Sequence, residues 1–342
     1  MTTVEGKRIL IIGSDGYIGW PLSRYLEERG ANVYRMDNLI KRQHEKLLGV
    51  RPILPCNLED RMVPYSQVSA TNHDTLLNIL NVWEIDVVVH LGEMPSAPLS
   101  QIDHGWAKWT QENNVLGTLA LIWAAIGADK TPHIVKLGTM GEYGTPNIPI
   151  EEGWLDVKHK GYSDRLLFPK KPGSFYHCSK VHDSTNLEFA CRVYGLRVTD
   201  LNQGVVWGTS TPQCPFDSPQ RTSFHYDEIF GTVINRFAAQ AAAGVPLTIY
   251  GSGLQKRGFI HLLDSLRCIE IACSNSPEEG EFRVFNQLTE LLSIGQIAQT
   301  FHEATGARYE LIEDPRVEDQ QHLYLVNFEG LKILGMRDPH LF

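Results

Sequence analysis

The run Arg8-Ile9-Leu10-Ile11-Ile12-Gly13-Ser14-Asp15-Gly16-Tyr17-Ile18-Gly19 decides the fold. An unbroken apolar stretch, rather than an alternating one, suits a parallel strand buried on both faces. It runs straight into a Gly-x-x-Gly-x-x-Gly loop, after which Leu22, Tyr25 and Leu26 recur at helical spacing as far as Gly30. Glycines there permit a tight turn and let backbone N–H groups at a helix N-terminus approach a pyrophosphate. Such a loop alone is weak evidence; a strand before it, a helix after it and an acid ending the next strand make it strong. That acid is Asp37, which follows Asn32-Val33-Tyr34-Arg35-Met36. A dinucleotide is expected to meet Gly13, Asp15, Gly16, Tyr17, Ile18 and Gly19 in the loop, then Asp37, Asn38 and Arg42 beyond the second strand. A carboxylate suited to ribose hydroxyls favours NAD over NADP, although Lys41 and Arg42 are basic residues of the kind that hold a 2′-phosphate.

Outward from this unit, residues 41–70 show no periodicity and are expected to be irregular. Asp74 to Trp83 reads as a helix and Ile85 to His90 as the next buried strand. Ligands of open α/β sheets bind at the C-terminal ends of strands. The following turn should therefore border both ligands, with Leu91, Gly92 and Glu93 on the cofactor side and Met94, Pro95 and Ser96 on the substrate side. Trp109 to Ala125 reads as a helix that offers Asn114 to the cofactor. His133 to Leu137 is a strand delivering Gly138 and Thr139, and Arg197 to Leu201 is another, leading to Gln203 near both ligands. A helix from about Glu228 to Ala243 and the apolar run Leu247 to Tyr250 complete the pattern. Alternating strands and helices predict an α/β fold, a Rossmann-type doubly wound parallel sheet. Residues 1–208 would form the NAD-binding domain with the catalytic groups. Residues 209–342 would form a smaller, mainly substrate-binding lobe with returns to the core.

Phe175-Tyr176-His177-Cys178-Ser179-Lys180 supplies the chemistry. Four residues apart on a helix, Tyr176 and Lys180 share a face. An ammonium beside a phenol favours the phenolate, so Tyr176 is expected below its ordinary pKa and ready to take a proton from a sugar hydroxyl. Thr139, at a strand end, would hydrogen-bond the same oxygen. Glu93, Glu142 and His177 are candidate acids and bases, while Arg257 and Arg316 have the charge to neutralise a diphosphate.

With 31 basic and 40 acidic residues, the net charge of -9 argues against nucleic acid as the main partner. The six cysteines include no Cys-x-x-Cys pair, so neither a zinc site nor a disulfide frame is expected. They read as reduced thiols of a cytoplasmic protein, with no signal peptide and no membrane span.

The glycine loop, Asp37, Thr139 and the Tyr176/Lys180 pair resemble the extended short-chain dehydrogenase/reductases that act on sugars. Four longer segments, Lys136–Asn147, Ser174–Asp183, Thr199–Val205 and Gly280–Gln287, resemble the UDP-sulfoquinovose synthase family, and the likeness spans nearly the whole chain. That resemblance implies a tightly held NAD, recycled within each turnover, that oxidises C4 of UDP-glucose. The ketone acidifies C5–H, water leaves from C6, sulfite adds to the alkene, and the hydride returns. It also implies Thr139, Tyr176 and Lys180 as the catalytic trio, His177 near C6, Arg257 and Arg316 around the diphosphate, and a homodimer built on helices 109–125 and 178–194.

Some positions depart from the family pattern. Met94-Pro95 stands where the family has Gln-Arg, Ser223 replaces an arginine before Tyr226, and Leu263 replaces the arginine of Asp-Ile-Arg-Asp. The expected activity is therefore transient oxidation of a sugar hydroxyl, 5,6-elimination of water and re-reduction on a nucleotide sugar or nucleoside. A complete UDP-sulfoquinovose synthase is the alternative, and a nucleotide-sugar epimerase the third. A sensor that binds NAD without turnover would have no need of Tyr176 or Lys180. In sugar dehydratases of the wider superfamily Asp-Glu follows the threonine, whereas Met140-Gly141 follows it here.

Overall fold

Strand β1 (Arg8–Ile12) divides its side chains between two cores: Ile9 and Ile11 enter one hydrophobic cluster, Leu10 and Ile12 the other. This alternation is why the whole run is apolar. The computed structural model describes residues 3–52, 65–313 and 323–342. After β1 come α1 (Gly19–Glu28), β2 (Asn32–Met36), α2 (Ile40–Leu47), β3 (Tyr65–Ser66), α3 (His73–Val82) and β4 (Val87–His90). Next are α4 (His104–Gly127), β5 (His133–Thr139), β6 (Trp154–His159), β7 (Tyr162–Leu167) and α5 (Phe175–Tyr194). Then follow β8 (Arg197–Gln203), β9 (Val205–Trp207), α6 (Val233–Ala243), β10 (Leu247–Tyr250), β11 (Lys256–His261) and α7 (Leu262–Ser274). The chain closes with β12 (Phe282–Gln287), β13 (Glu290–Ser293), α8 (Ile294–Thr305), β14 (Tyr309–Ile312) and α9 (Gly330–Ile333).

The main sheet runs in the order β12-β8-β5-β4-β1-β2-β3, with every pairing parallel. Helices α1 and α7 contribute to the core on one face, and α3, α4 and α5 to the core on the other. The strand order reverses direction between β1 and β4, which opens a crevice at the C-terminal ends of both strands. A second, smaller core gathers α6, α8, β10 and β11 around Phe237, Ile249, Phe259 and Ile297. Although they follow residue 208, α7 and β12 belong to the main sheet and its covering layer. No helix among the described residues is long and apolar enough to cross a membrane.

Two expectations need correction, and two elements add to the expected pattern. Residues 41–47, expected to be irregular, belong to α2, a helix with almost no apolar face. Its one buried side chain is Glu45, and an i,i+4 Lys41–Glu45 pair at 3.0 Å helps hold it. The helix expected from Glu228 begins only at Val233. Asp227 Oδ1 accepts from the N–H groups of Ile229 and Phe230 and closes a turn there, leaving Thr232 extended. The apolar run Leu247 to Tyr250 forms β10, which pairs with β14 apart from the main sheet, whose edge is taken by β12. The hairpin β6–β7 was not foreseen; its turn places Lys160 and Gly161 at φ 48° and 87°, the combination that favours a tight two-residue reversal.

Candidate active site

The nucleotide end forms where β1 turns into α1. Gly13 has φ 86°, and a Cβ there would collide with the Leu91 carbonyl. A Cβ on Gly19 would strike Gly13. The loop is thus drawn against its neighbours too tightly for any side chain at these two positions. Asp37 closes the opposite wall, accepting from the Asp15 N–H at 2.9 Å and the Leu39 N–H at 2.8 Å. The cations beside it are engaged. Arg42 grips Asp15 at 2.5 and 2.8 Å, and Lys41 bonds Glu45, which also receives His225 at 2.8 Å.

These groups line one cavity of about 1170 Å³ that continues to Thr139, Tyr176, His177, Lys180, Gln203 and Arg257. Typical single-ligand pockets hold roughly 300–1,000 Å³, so there is room for a cofactor and a substrate together. The residues present fit NAD: a glycine cradle, an acid at the end of β2, and basic neighbours paired to carboxylates rather than presented to a 2′-phosphate.

At the reacting end β5 delivers Thr139, whose Oγ1 accepts from the Gly141 N–H at 3.1 Å. Ser174 caps α5 by accepting from the His177 N–H at 3.1 Å, and its hydroxyl also meets His177 Nδ1 at 3.0 Å. The His177 ring is thereby fixed with Nε2 over the Gly141 backbone, in the space a side chain at 141 would need. Lys180 comes one helical turn later. Its Nζ donates to the Leu137 carbonyl at 2.5 Å, pairs with Glu93 at 2.8 Å, and lies 5.9 Å from the Tyr176 ring centroid.

The Tyr176 phenol is not lowered as the sequence suggested. Burial raises it, Lys180 draws it down only in part, and Glu93 raises it further. Burial opposes the charge on Lys180 as well, but Glu93 and Tyr176 outweigh that and hold the ammonium above its ordinary value. The Lys180 charge is shared with Glu93, which sequence spacing does not reveal.

Glu142, a candidate acid or base, is instead a buried hub. It accepts from Lys136 at 3.1 Å, Lys170 at 2.6 Å, Ser184 at 3.0 Å and the Thr139 N–H at 3.1 Å. Burial opposes its charge, yet Lys136 and Lys170 hold its carboxyl down at about 2. Asn114, expected at the cofactor, is fully buried. It holds the Met94 backbone and Ser179, while its neighbour Asn113 lines the cavity. Ser96 lines the cavity with its hydroxyl committed to the Ile229 carbonyl and the Leu99 N–H. Leu263 packs on the core under α1, so of the three arginine replacements only Pro95 and Ser223 line the cavity. Arg316 lies outside the described residues.

Sequence reasoning missed Arg236, which lines the cavity with its guanidinium 4.5 Å from the Tyr250 ring. It also missed the charges beneath the site. Lys136 and Asp200 face each other in the β5–β8 register, 3.3 Å apart at their charged atoms and fully buried. A lysine and an aspartate at matching places in two otherwise apolar strands were the available signal.

Residues 9–286 match the NAD dependent epimerase/dehydratase family. The chain is 42% identical to the chloroplastic UDP-sulfoquinovose synthase of Spinacia oleracea, over 98% of this chain and 73% of that protein. It is 39% identical to the UDP-sulfoquinovose synthase of Sulfolobus acidocaldarius, over 96% and 88% respectively. Among solved structures it resembles UDP-glucuronic acid 4-epimerase from Bacillus cereus, in complex with UDP-glucuronic acid and NAD. That match has a TM-score of 0.71 and 21% identity and covers 98% of this chain and 95% of that one.

Proposed function

Because the chain belongs to the NAD dependent epimerase/dehydratase family, we propose that it is an NAD-dependent dehydratase-type enzyme acting on a nucleotide sugar. Its turnover would be transient oxidation of a ring hydroxyl, loss of water across C5–C6, and re-reduction. The observation that carries this reading is the convergence of Thr139, Tyr176, His177 and Lys180 on the cavity that the glycine loop and Asp37 also line.

NAD, when bound, supplies the hydride acceptor and returns the hydride at the end, so the reaction consumes no oxidant. Tyr176 takes the proton of the C4 hydroxyl while Thr139 Oγ1 bonds the same oxygen, and Lys180 steadies the phenolate. The C4 ketone then acidifies C5–H. The elimination needs a base at C5 and an acid at the departing C6 hydroxyl. Glu142 is locked to two ammoniums and Glu93 to Lys180. His177, oriented by Ser174, is left as the cavity-lining acid–base group. Arg236 and Arg257 offer charge for the diphosphate.

The second reading, a complete UDP-sulfoquinovose synthase, is favoured by the two relatives of that name. Against it, sulfite is a small hydrated anion that needs cations or N–H donors to offset its desolvation. Pro95 has neither, and Ser223 brings no charge. The test uses the protein as purified, without added cofactor, incubated with UDP-glucose and a nucleoside panel, with and without sulfite, and followed by mass. Loss of one water, unchanged by sulfite and without net NADH, is expected. An efficiently formed sulfonated UDP-hexose would establish the second reading, and a requirement for NADP would overturn the cofactor assignment.

The partner is proposed to be a second copy. Helices α4 and α5 lie side by side, and their outer faces expose Leu116, Trp123, Phe189 and Val193, each about half exposed. A two-fold four-helix contact would bury them. Sedimentation at the mass of one 38.5 kDa chain would exclude it. Cys178, Cys191, Cys214, Cys268 and Cys273 are free thiols, which supports a reducing, cytoplasmic setting.

A further inference from the structure

Beside Lys180, at the wall of the cavity, two carboxyls meet. Asp183, one turn along α5, is fully buried, as is Glu93 from the loop after β4. The two lie within hydrogen-bonding reach of each other. Among the described residues, no side-chain or backbone donor reaches either Asp183 oxygen. Two carboxylates have only acceptors to offer, so contact between them is stable only when one carries a proton.

The surrounding charges require the same. Four acids, Glu93, Glu142, Asp183 and Asp200, face three ammoniums, Lys136, Lys170 and Lys180. Two further titratable neighbours stay neutral: burial raises the Tyr143 phenol, and His90, which approaches Glu93 at 3.9 Å, is pushed down by burial to about 4. One negative charge is left over among buried groups, where it is costly. Asp200, also raised by burial, keeps Lys136 at 3.3 Å and the Ser184 hydroxyl at 2.7 Å. Among the described residues, no ammonium is in direct contact with Asp183. It is the acid left to hold the extra proton.

We propose that Glu93 and Asp183 share one proton beside Lys180, and that this buried pair sets the pH at which Tyr176 ionises. With the proton shared, the pair carries a single negative charge and draws Lys180 away from the phenol. These are positioning residues. The inference rests on Tyr176 as the base of the proposed reaction, but it is tested without substrate, so the two can fail separately.

The readout is the ultraviolet titration of tyrosinate, taken as the difference between each protein and the same protein carrying Tyr176→Phe. Glu93→Gln removes the carboxylate that touches Lys180 and leaves the remaining charge on Asp183, which does not contact that ammonium, so the Tyr176 midpoint should fall by about one pH unit or more. Asp183→Asn puts an amide where the protonated acid stood, so fold, melting temperature and midpoint should stay near wild type. An unmoved midpoint in Glu93→Gln overturns the proposal, as does a midpoint in Asp183→Asn lowered as far as in Glu93→Gln. Should Glu93→Gln not fold, infrared spectra of the wild-type protein decide. A carboxylic-acid carbonyl band that persists above neutral pH and vanishes in Asp183→Asn supports the shared proton, and its absence refutes it.

Discussion

Tyr176→Phe should still bind the nucleotide sugar and lose turnover by ~10²-fold or more, the usual scale for removing a positioned acid–base group. The substitution keeps the ring, its 5.1 Å approach to the His177 ring, and the shape of the cavity wall. It removes only the oxygen that takes the hydroxyl proton. The electrostatics add a pH signature. Burial and Glu93 keep the phenol above its ordinary value, with Lys180 pulling the other way. The wild-type rate should therefore climb with pH as Tyr176 ionises, and the residual rate of Tyr176→Phe should lack that climb. Lys180→Ala should be as severe, because it takes away the cation that acts most strongly on the phenol and the ammonium paired with Glu93. A Tyr176→Phe enzyme with near-normal kcat would show that another group is the base.

The sequence made the fold legible where local chemistry and tertiary role coincide. Ile9 to Ile12 had to be buried on both faces, and the glycines after them had to pack against backbone; both requirements are written in residue type. The sequence was silent where a segment is held by polar contacts. Helix α2 has no apolar stripe to read, because Lys41, Arg42 and Glu45 tie it to Asp15 and His225. It misled where a residue's role is set by partners far along the chain. Glu142 looked like a free acid until Lys136, Lys170 and Ser184 were found on it. The Tyr176/Lys180 spacing correctly placed the two side chains on one face but gave the wrong direction for the phenol, since burial and Glu93 lie outside any local window. The same limit hid Asp183, which looks like an ordinary helix-face aspartate until Glu93 is brought against it.

His177→Ala should cost the elimination ~10²-fold or more while leaving the oxidation machinery in place. Gly141 leaves the space that the His177 ring fills. A Cβ at that position would occupy the place of His177 Nε2, so the two sites compete for one volume, and in this chain the imidazole holds it. Gly141→Ala should therefore displace the ring and reproduce much of the His177→Ala loss without touching the histidine. In the His177→Ala background the added methyl meets no ring, so the second substitution should cost little more; the double variant should be far from additive. Water loss, followed by product mass, measures the effect. Exchange of C5–H with solvent deuterium assigns the role: exchange lost together with water loss makes His177 the base at C5, and exchange retained makes it the acid at the C6 hydroxyl. His177→Ala that eliminates water at the wild-type rate, or Gly141→Ala whose loss simply multiplies with that of His177→Ala, would place the acid–base chemistry on another residue of the cavity wall.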